Sequence, residues 1–137
     1  RVTIGQGGGI SALYQARGTI HNQGASIATV EIKGGDYYTY HDAAHLSLTV
    51  DGGTCHYYSN GLLTALKVSS GGYWETSRDG RDKTITTAQM YAGGRISTRT
   101  GRTGSVTITN PVELHRCGIN DVSMDFGDQI KLTVADL

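Results

Sequence analysis

Tyrosines and a tryptophan set among carboxylates are the residues of this sequence best suited to chemistry. Tyr37, Tyr38 and Tyr40 are followed by Tyr57 and Tyr58, then by Tyr73 and Trp74, while the chain has a single phenylalanine. A core is more simply filled with Phe and Leu, because a buried tyrosine hydroxyl needs a partner. Beside Asp36, Asp42, Asn60 and Glu75, the rings offer what sugar recognition needs. Their flat faces suit the C–H side of a pyranose, and planar carboxylates and amides suit its hydroxyls. The expected ligand-binding residues are Asp36, Tyr38, Tyr40, Asp42, Tyr57, Asn60 and Trp74. Strand alternation puts Tyr38 and Tyr40 on one face and Tyr37 on the other, so at most half of the rings share one site. The competing reading is half-buried strand tyrosines with wet hydroxyls.

His41-Asp-Ala-Ala-His45 raises metal chemistry. The metalloprotease pattern needs Glu where Asp42 stands, and the flanking segments read as strands rather than helix. In a hairpin the two histidines face each other and His56 adds a third ligand, so zinc on His41, His45 and His56 is the alternative to solvated turn histidines. Otherwise no cofactor is expected. Cys55 and His56 are neighbours on a strand and point to opposite faces, which argues against an activated thiol, and no G-x-S-x-G elbow is present. Asp79 and Asp82 fall in the charged turn Arg78–Lys83, which reads as a solvated loop. Arg95, Arg99 and Arg102 keep an exposed edge soluble, with contact to sulfated or sialylated glycans as the second reading. No enzyme is expected.

The elements that hold these groups read as strands throughout. Twenty glycines against one proline, with abundant Thr, Ser, Val, Ile and Tyr, describe short strands and tight turns. Runs near Ile10–Arg17, Ile27–Lys33, Tyr37–His41, His45–Val50, Cys55–Tyr58, Leu62–Ser69, Tyr73–Thr76, Thr84–Tyr91, Arg95–Thr98, Ser105–Thr109, Val122–Phe126 and Ile130–Val134 are punctuated by glycine turns. Ala28, Val30 and Ile32 alternate with Thr29 and Glu31, and Leu46, Leu48 and Val50 with Ser47 and Thr49. Each pattern marks a strand with one dry face. No repeat period is evident. The spacing predicts an all-β fold with negligible helix, an antiparallel β-sandwich of one domain over residues 1–137.

Twelve basic and twelve acidic residues cancel, so no electrostatic footprint for nucleic acid or an anionic membrane is present. No run of eighteen apolar residues offers a membrane span. The low charge fits an extracellular module, and without a leader at its start the chain reads as a mature secreted form. Two cysteines admit one bridge, Cys55–Cys117, the free-thiol pair being the other reading.

The segment Cys117–Val134 adds a resemblance. After Cys117, residues Val122, Met124 and Phe126 fall on one face and Ser123 and Asp125 on the other, and Gly127 breaks the strand before Ile130, Leu132 and Val134. A cysteine followed by a strand ending Asp125-Phe-Gly127 resembles the opening of a pilin domain of bacterial chaperone–usher fimbriae, over about residues 103–130. The resemblance implies an immunoglobulin-like sandwich and a two-domain tip adhesin. Residues 1–110 would be its receptor-binding portion and 111–137 the pilin-like element, joined at Asn110-Pro111. It further implies a glycan or receptor partner, neighbouring pilus subunits and a periplasmic chaperone, and location on a fimbrium. The rival within that family is a structural pilin assembled by donor-strand exchange. In a truncated pilin domain, the partner of Cys117 would lie beyond Leu137 and Cys55 would be odd. The expected function is non-catalytic adhesion.

Overall fold

A computed structural model describes residues 1–7, 9–76, 79–98 and 105–125 and the backbone of 134–136. Its strands are β1 (Val2–Ile4), β2 (Gly9–Gln15), β3 (Thr19–Asn22), β4 (Ser26–Ile32), β5 (Asp36–His41), β6 (His45–Asp51), β7 (Thr54–Ser59) and β8 (Leu63–Ser69). Then follow β9 (Tyr73–Glu75), β10 (Lys83–Met90), β11 (Arg95–Ser97), β12 (Val106–Ile108), β13 (Val112–Leu114), β14 (Ser123–Asp125) and β15 (Val134–Asp136). Helix among the described residues is confined to one 3₁₀ turn, Ile119–Asp121.

The strands alternate between two sheets. One has the order β1-β3-β5-β7-β9-β11-β14, and the other β15-β13-β10-β8-β6-β4-β2 with β12 also on β10. Consecutive strands in the chain lie in opposite sheets, except that β12 and β13 share the second, and each pairs with a strand one coil away. Every pairing is parallel. The fold is a β-solenoid, which corrects the expected antiparallel sandwich. Alternation reports which face of a strand is dry. It carries no information about the direction of the neighbouring strand, and that is where the expectation went wrong.

A repeat is present after all. Ile10, Ile27, His45, Leu63 and Ile85 stack in one column, so successive coils take 17, 18, 18 and 22 residues. The glycine pairs 34–35, 52–53, 71–72 and 93–94 stand at the same corner of successive coils. Gly35 has φ +80°, and a Cβ built there would lie 2.2 Å from the Gly18 carbonyl oxygen of the coil below. Only glycine combines that backbone with that approach.

The core lies between the sheets. In the longer strands inward residues follow the spacing i, i+3, i+5: Ile27, Val30, Ile32; His45, Leu48, Val50; Leu63, Leu66, Val68; Ile85, Ala88, Met90. Two successive outward residues bend each of these strands. The bend moves Leu46 outside, 63% exposed, and His45 inside at 1%. Ile27 rather than Ala28 is the inward residue for the same reason. In the next coil β12 and β13 share this position, and Asn110-Pro111 lies at the bend between them. Pro111 falls where the ladder is broken and a missing N–H costs nothing.

The segment after Cys117 continues the solenoid. β14 pairs in parallel with β11, Arg95 opposite Ser123 and Ser97 opposite Asp125. Phe126, Gly127, Ile130 and Leu132 of the pilin-like pattern lie outside the described residues, as do Arg78, Arg99 and Arg102.

Candidate functional site

The outer face of the first sheet carries an aromatic ladder. In β3, Ile20 and Asn22 turn inward, leaving Thr19 and His21 outside; in β5, Tyr37 and Thr39 turn inward, leaving Asp36, Tyr38 and Tyr40 outside. In β7 the inward set is Cys55, Tyr57 and Ser59, and His56 and Tyr58 face out. The parallel register places His21, Tyr38, His56 and Glu75 one above another. Tyr38 is sandwiched, 4.5 Å from His21 at 4° and 4.1 Å from His56 at 8°. Tyr40 lies beside the stack, 5.9 Å from His21, with His21 Nδ1 and its hydroxyl 3.1 Å apart. Tyr58 tilts by 52° against Tyr40 and ends the parallel set.

Carboxylates clamp the far end. His56 Nδ1–H donates to Glu75 Oε1 at 2.5 Å, and Nε2–H donates to Asp36 Oδ1 at 2.9 Å. The Tyr58 hydroxyl donates to the same Glu75 oxygen at 2.6 Å. Two carboxylates on opposite edges of one ring call for the imidazolium, which donates from both nitrogens. Burial acts to lower the His56 pKa, and the bonds to Glu75 and Asp36 outweigh it, so the value is raised above 6.5. At the other end burial, then the charges of Arg1 and His56, lower that of His21. The face thus carries one imidazolium between two carboxylates at one end and a neutral imidazole at the other.

Of the expected ligand-binding residues, Asp36, Tyr38 and Tyr40 belong to this ladder. Asp42 and Asn60 are exposed in turns of successive coils, past the ends of β5 and β7. Tyr57 and Trp74 are corrections: both are core residues, 1% and 0% exposed, with ring centroids 5.4 Å apart. Tyr57 donates to the Gly61 carbonyl instead of meeting a ligand. Sequence reasoning passed over His21, and named Tyr58 and Glu75 in the aromatic and acidic clusters without including them among the expected ligand-binding residues. Glu75 is only 5% exposed yet points to the ladder, and a strand-by-strand alignment at 17 to 19 residues would have joined it to His56 and Tyr38.

His41, His45 and His56 do not meet. His45 faces the core, His56 faces the ladder on the other sheet, and His41 is exposed at φ +60° where β5 ends. Among the described residues no three His, Cys, Asp or Glu side chains form a metal-holding group. Cys55 and Cys117 are both free, correcting the expected bridge. Cys55 sits in the column Tyr37–Cys55–Trp74, whereas Cys117 follows β13, three coils further on. At ~4.8 Å per coil this separation is roughly 14 Å, beyond the Cα–Cα reach of about 7 Å that a disulfide allows. The Cys117 thiol approaches the Met90 carbonyl at 3.7 Å.

No protein-family model, curated protein or solved structure matches this chain.

Proposed function

We propose that this chain is a non-catalytic, extracellular recognition module that binds a surface glycan along the ladder face. The observation that supports this reading is the outward gathering of His21, Tyr38, Tyr40, His56 and Tyr58 beside Asp36 and Glu75. The outer face of a sheet needs no aromatic rings to fold. Rings held there by stacking are an ordered array of polar-edged apolar groups. The stack sets the mode of binding. Both faces of Tyr38 are covered by imidazoles, so a sugar meets its edge and hydroxyl, and Tyr40 and Asp36 provide the neighbouring contacts. Pilus subunits and a chaperone are not carried into this proposal, because donor-strand exchange requires the sandwich that the solenoid replaces.

The test is a glycan array on the wild-type chain and on Tyr38→Ala, Tyr40→Ala and Asp36→Asn variants. A hit should weaken by about tenfold or more in at least two of the three, a loss of roughly 1.4 kcal/mol. An array without hits, or hits indifferent to all three variants, removes the proposal.

A further inference from the structure

Two cavities meet at the corner where the first sheet hands over to the second. The polar one, about 490 Å³, is lined by Gln6, Gly24, Ser26 and Asp42. Gln6, Gly24 and Asp42 follow β1, β3 and β5 in successive coils, and Ser26 opens β4. The parallel stack thus brings an amide, a hydroxyl and a carboxylate to one corner. Gln6 lies across Gly24, where φ is +118° and a built Cβ would meet Gln6 Cγ at 3.0 Å. The Asp42 carboxylate is exposed and makes no ion pair or hydrogen bond among the described residues. Ser26 Oγ accepts the Ala44 N–H at 3.1 Å, which leaves its own proton to donate outward.

The second cavity is an open apolar groove of about 510 Å³ on the outer face of the second sheet. Ser26 lines both cavities and joins them. The groove crosses the starts of β2, β4, β6 and β8 beside Ile10, Ala28, Leu46 and Leu62. Three strand spacings make it roughly 14 Å long. Leu46 and Leu62 are exposed by 63% and 48%, Leu46 because the strand bend turns it out of the core. No Asp, Glu, Lys or Arg side chain lines the groove. Exposed leucines gathered in one groove, unlike leucines scattered singly, mark a binding surface.

We propose that the two cavities form one site for a single-chain amphiphile, its alkyl chain in the groove and an uncharged, hydroxyl-rich head in the polar cleft. The chemistry selects both ends. The groove is an aliphatic wall with no charge to desolvate, which suits a hydrocarbon chain. The cleft offers acceptors on Asp42, a donor on Ser26 and both on Gln6, which is what a polyol needs. An anionic head is repelled by the unpaired carboxylate. A cationic head satisfies Asp42 alone and leaves the donors of Gln6 and Ser26 unmatched. None of the ladder residues takes part, so the site stands or falls independently of glycan binding on the first sheet.

The probe is n-octyl β-D-glucopyranoside below its micelle concentration, followed by calorimetry. Binding should saturate at one per chain. From heptyl to octyl to nonyl glucoside, affinity should rise by about threefold per methylene. n-Octyltrimethylammonium and n-octyl sulfate should each bind about fivefold or more weakly than octyl glucoside. In ¹⁵N-resolved spectra the backbone amides of Ser26, Asp42, Leu46 and Leu62 should shift together. Asp42→Ala should weaken octyl glucoside by about fivefold and Leu46→Ser by about tenfold. Both change exposed side chains, and circular dichroism checks that the fold is kept. Binding only above the micelle concentration, a flat alkyl series, a charged head bound as tightly, amide shifts confined to one cavity or indifference to either variant would each overturn the proposal.

Discussion

The imidazole of His56 lies 4.1 Å from the ring of Tyr38 and within 8° of parallel, although the two residues are a full coil apart in the chain. The contact follows from parallel, in-register strands: equivalent positions of successive coils must lie side by side, so an aromatic at one position finds an aromatic at the next. An antiparallel sheet would pair different positions. The ladder is therefore a property of the solenoid as much as of the residues in it.

Two histidines, His45 in the core and His56 half-buried on the ladder, give the stability of this protein opposite slopes with pH. The folded pKa of His56 is raised, so its contribution is complete below the unfolded value of about 6.5 and is lost as pH rises through the folded value. That of His45 is depressed to about 4. Its contribution is present above about 6.5 and lost as pH falls toward 4, amounting to about 3 kcal/mol. Urea midpoints should peak near pH 6.5. His56→Gln should flatten the alkaline arm and leave the acid arm, and an unchanged alkaline arm in that variant would count against the clamp.

Glycine substitutions separate steric from conformational cost. Gly35 has φ +80° with a carbonyl 2.2 Å from a built Cβ, whereas Gly71 has φ +83° and open space around it. Gly71→Ala should cost about 1 to 2 kcal/mol, the left-handed backbone alone. Gly35→Ala should cost clearly more, because two coils must separate locally. Equal losses in chemical denaturation would show that the coils do not stack this tightly.

The two classes of aromatic residue should respond in opposite ways. Trp74→Ala empties a fully buried site and should destabilise by about 3 to 5 kcal/mol. Tyr40→Ala, on the ladder, should cost about 1 kcal/mol or less while weakening the proposed glycan binding. Thermal melts of both variants check this.

The thiols differ in access. Cys55 is fully buried, and burial, then the charge of Glu75, push its pKa up. Cys117 is only partly buried. A thiol reagent should label one cysteine in the native protein and two after denaturation without reductant. Zero labels after denaturation would restore a disulfide.

The strands were legible because period-two patterning survives at most positions, as in Tyr37, Tyr38, Thr39 and Tyr40. Their direction was not. The glycine pairs 34–35, 52–53 and 71–72 held the missing information, since their recurrence matches the coil length and an antiparallel meander has no reason to repeat it. β3 was passed over because Thr19-Ile-His-Asn22 has one aliphatic residue and an asparagine turned inward, and His21 went with it. Tyr57 and Tyr58 were interchanged because nothing in two adjacent tyrosines says which is inside. Cys55, two residues before Tyr57 and buried, was the cue. Leu46 and His45 are the sharpest case: hydropathy alone puts the leucine in the core, and the bend reverses them.

The coil lengths bear on how this chain tolerates change. The step from Leu63 to Ile85 is 22 residues where its predecessors are 17 or 18, yet the inward columns continue across it. The extra residues are taken up outside the paired positions, chiefly between Glu75 and Lys83. The corner between β9 and β10 is thus a port at which sequence can enter or leave without disturbing the stack, whereas the glycine corner is closed to it. A coil behaves as an interchangeable cassette, so such a chain can lengthen by tandem duplication and acquire new surfaces loop by loop.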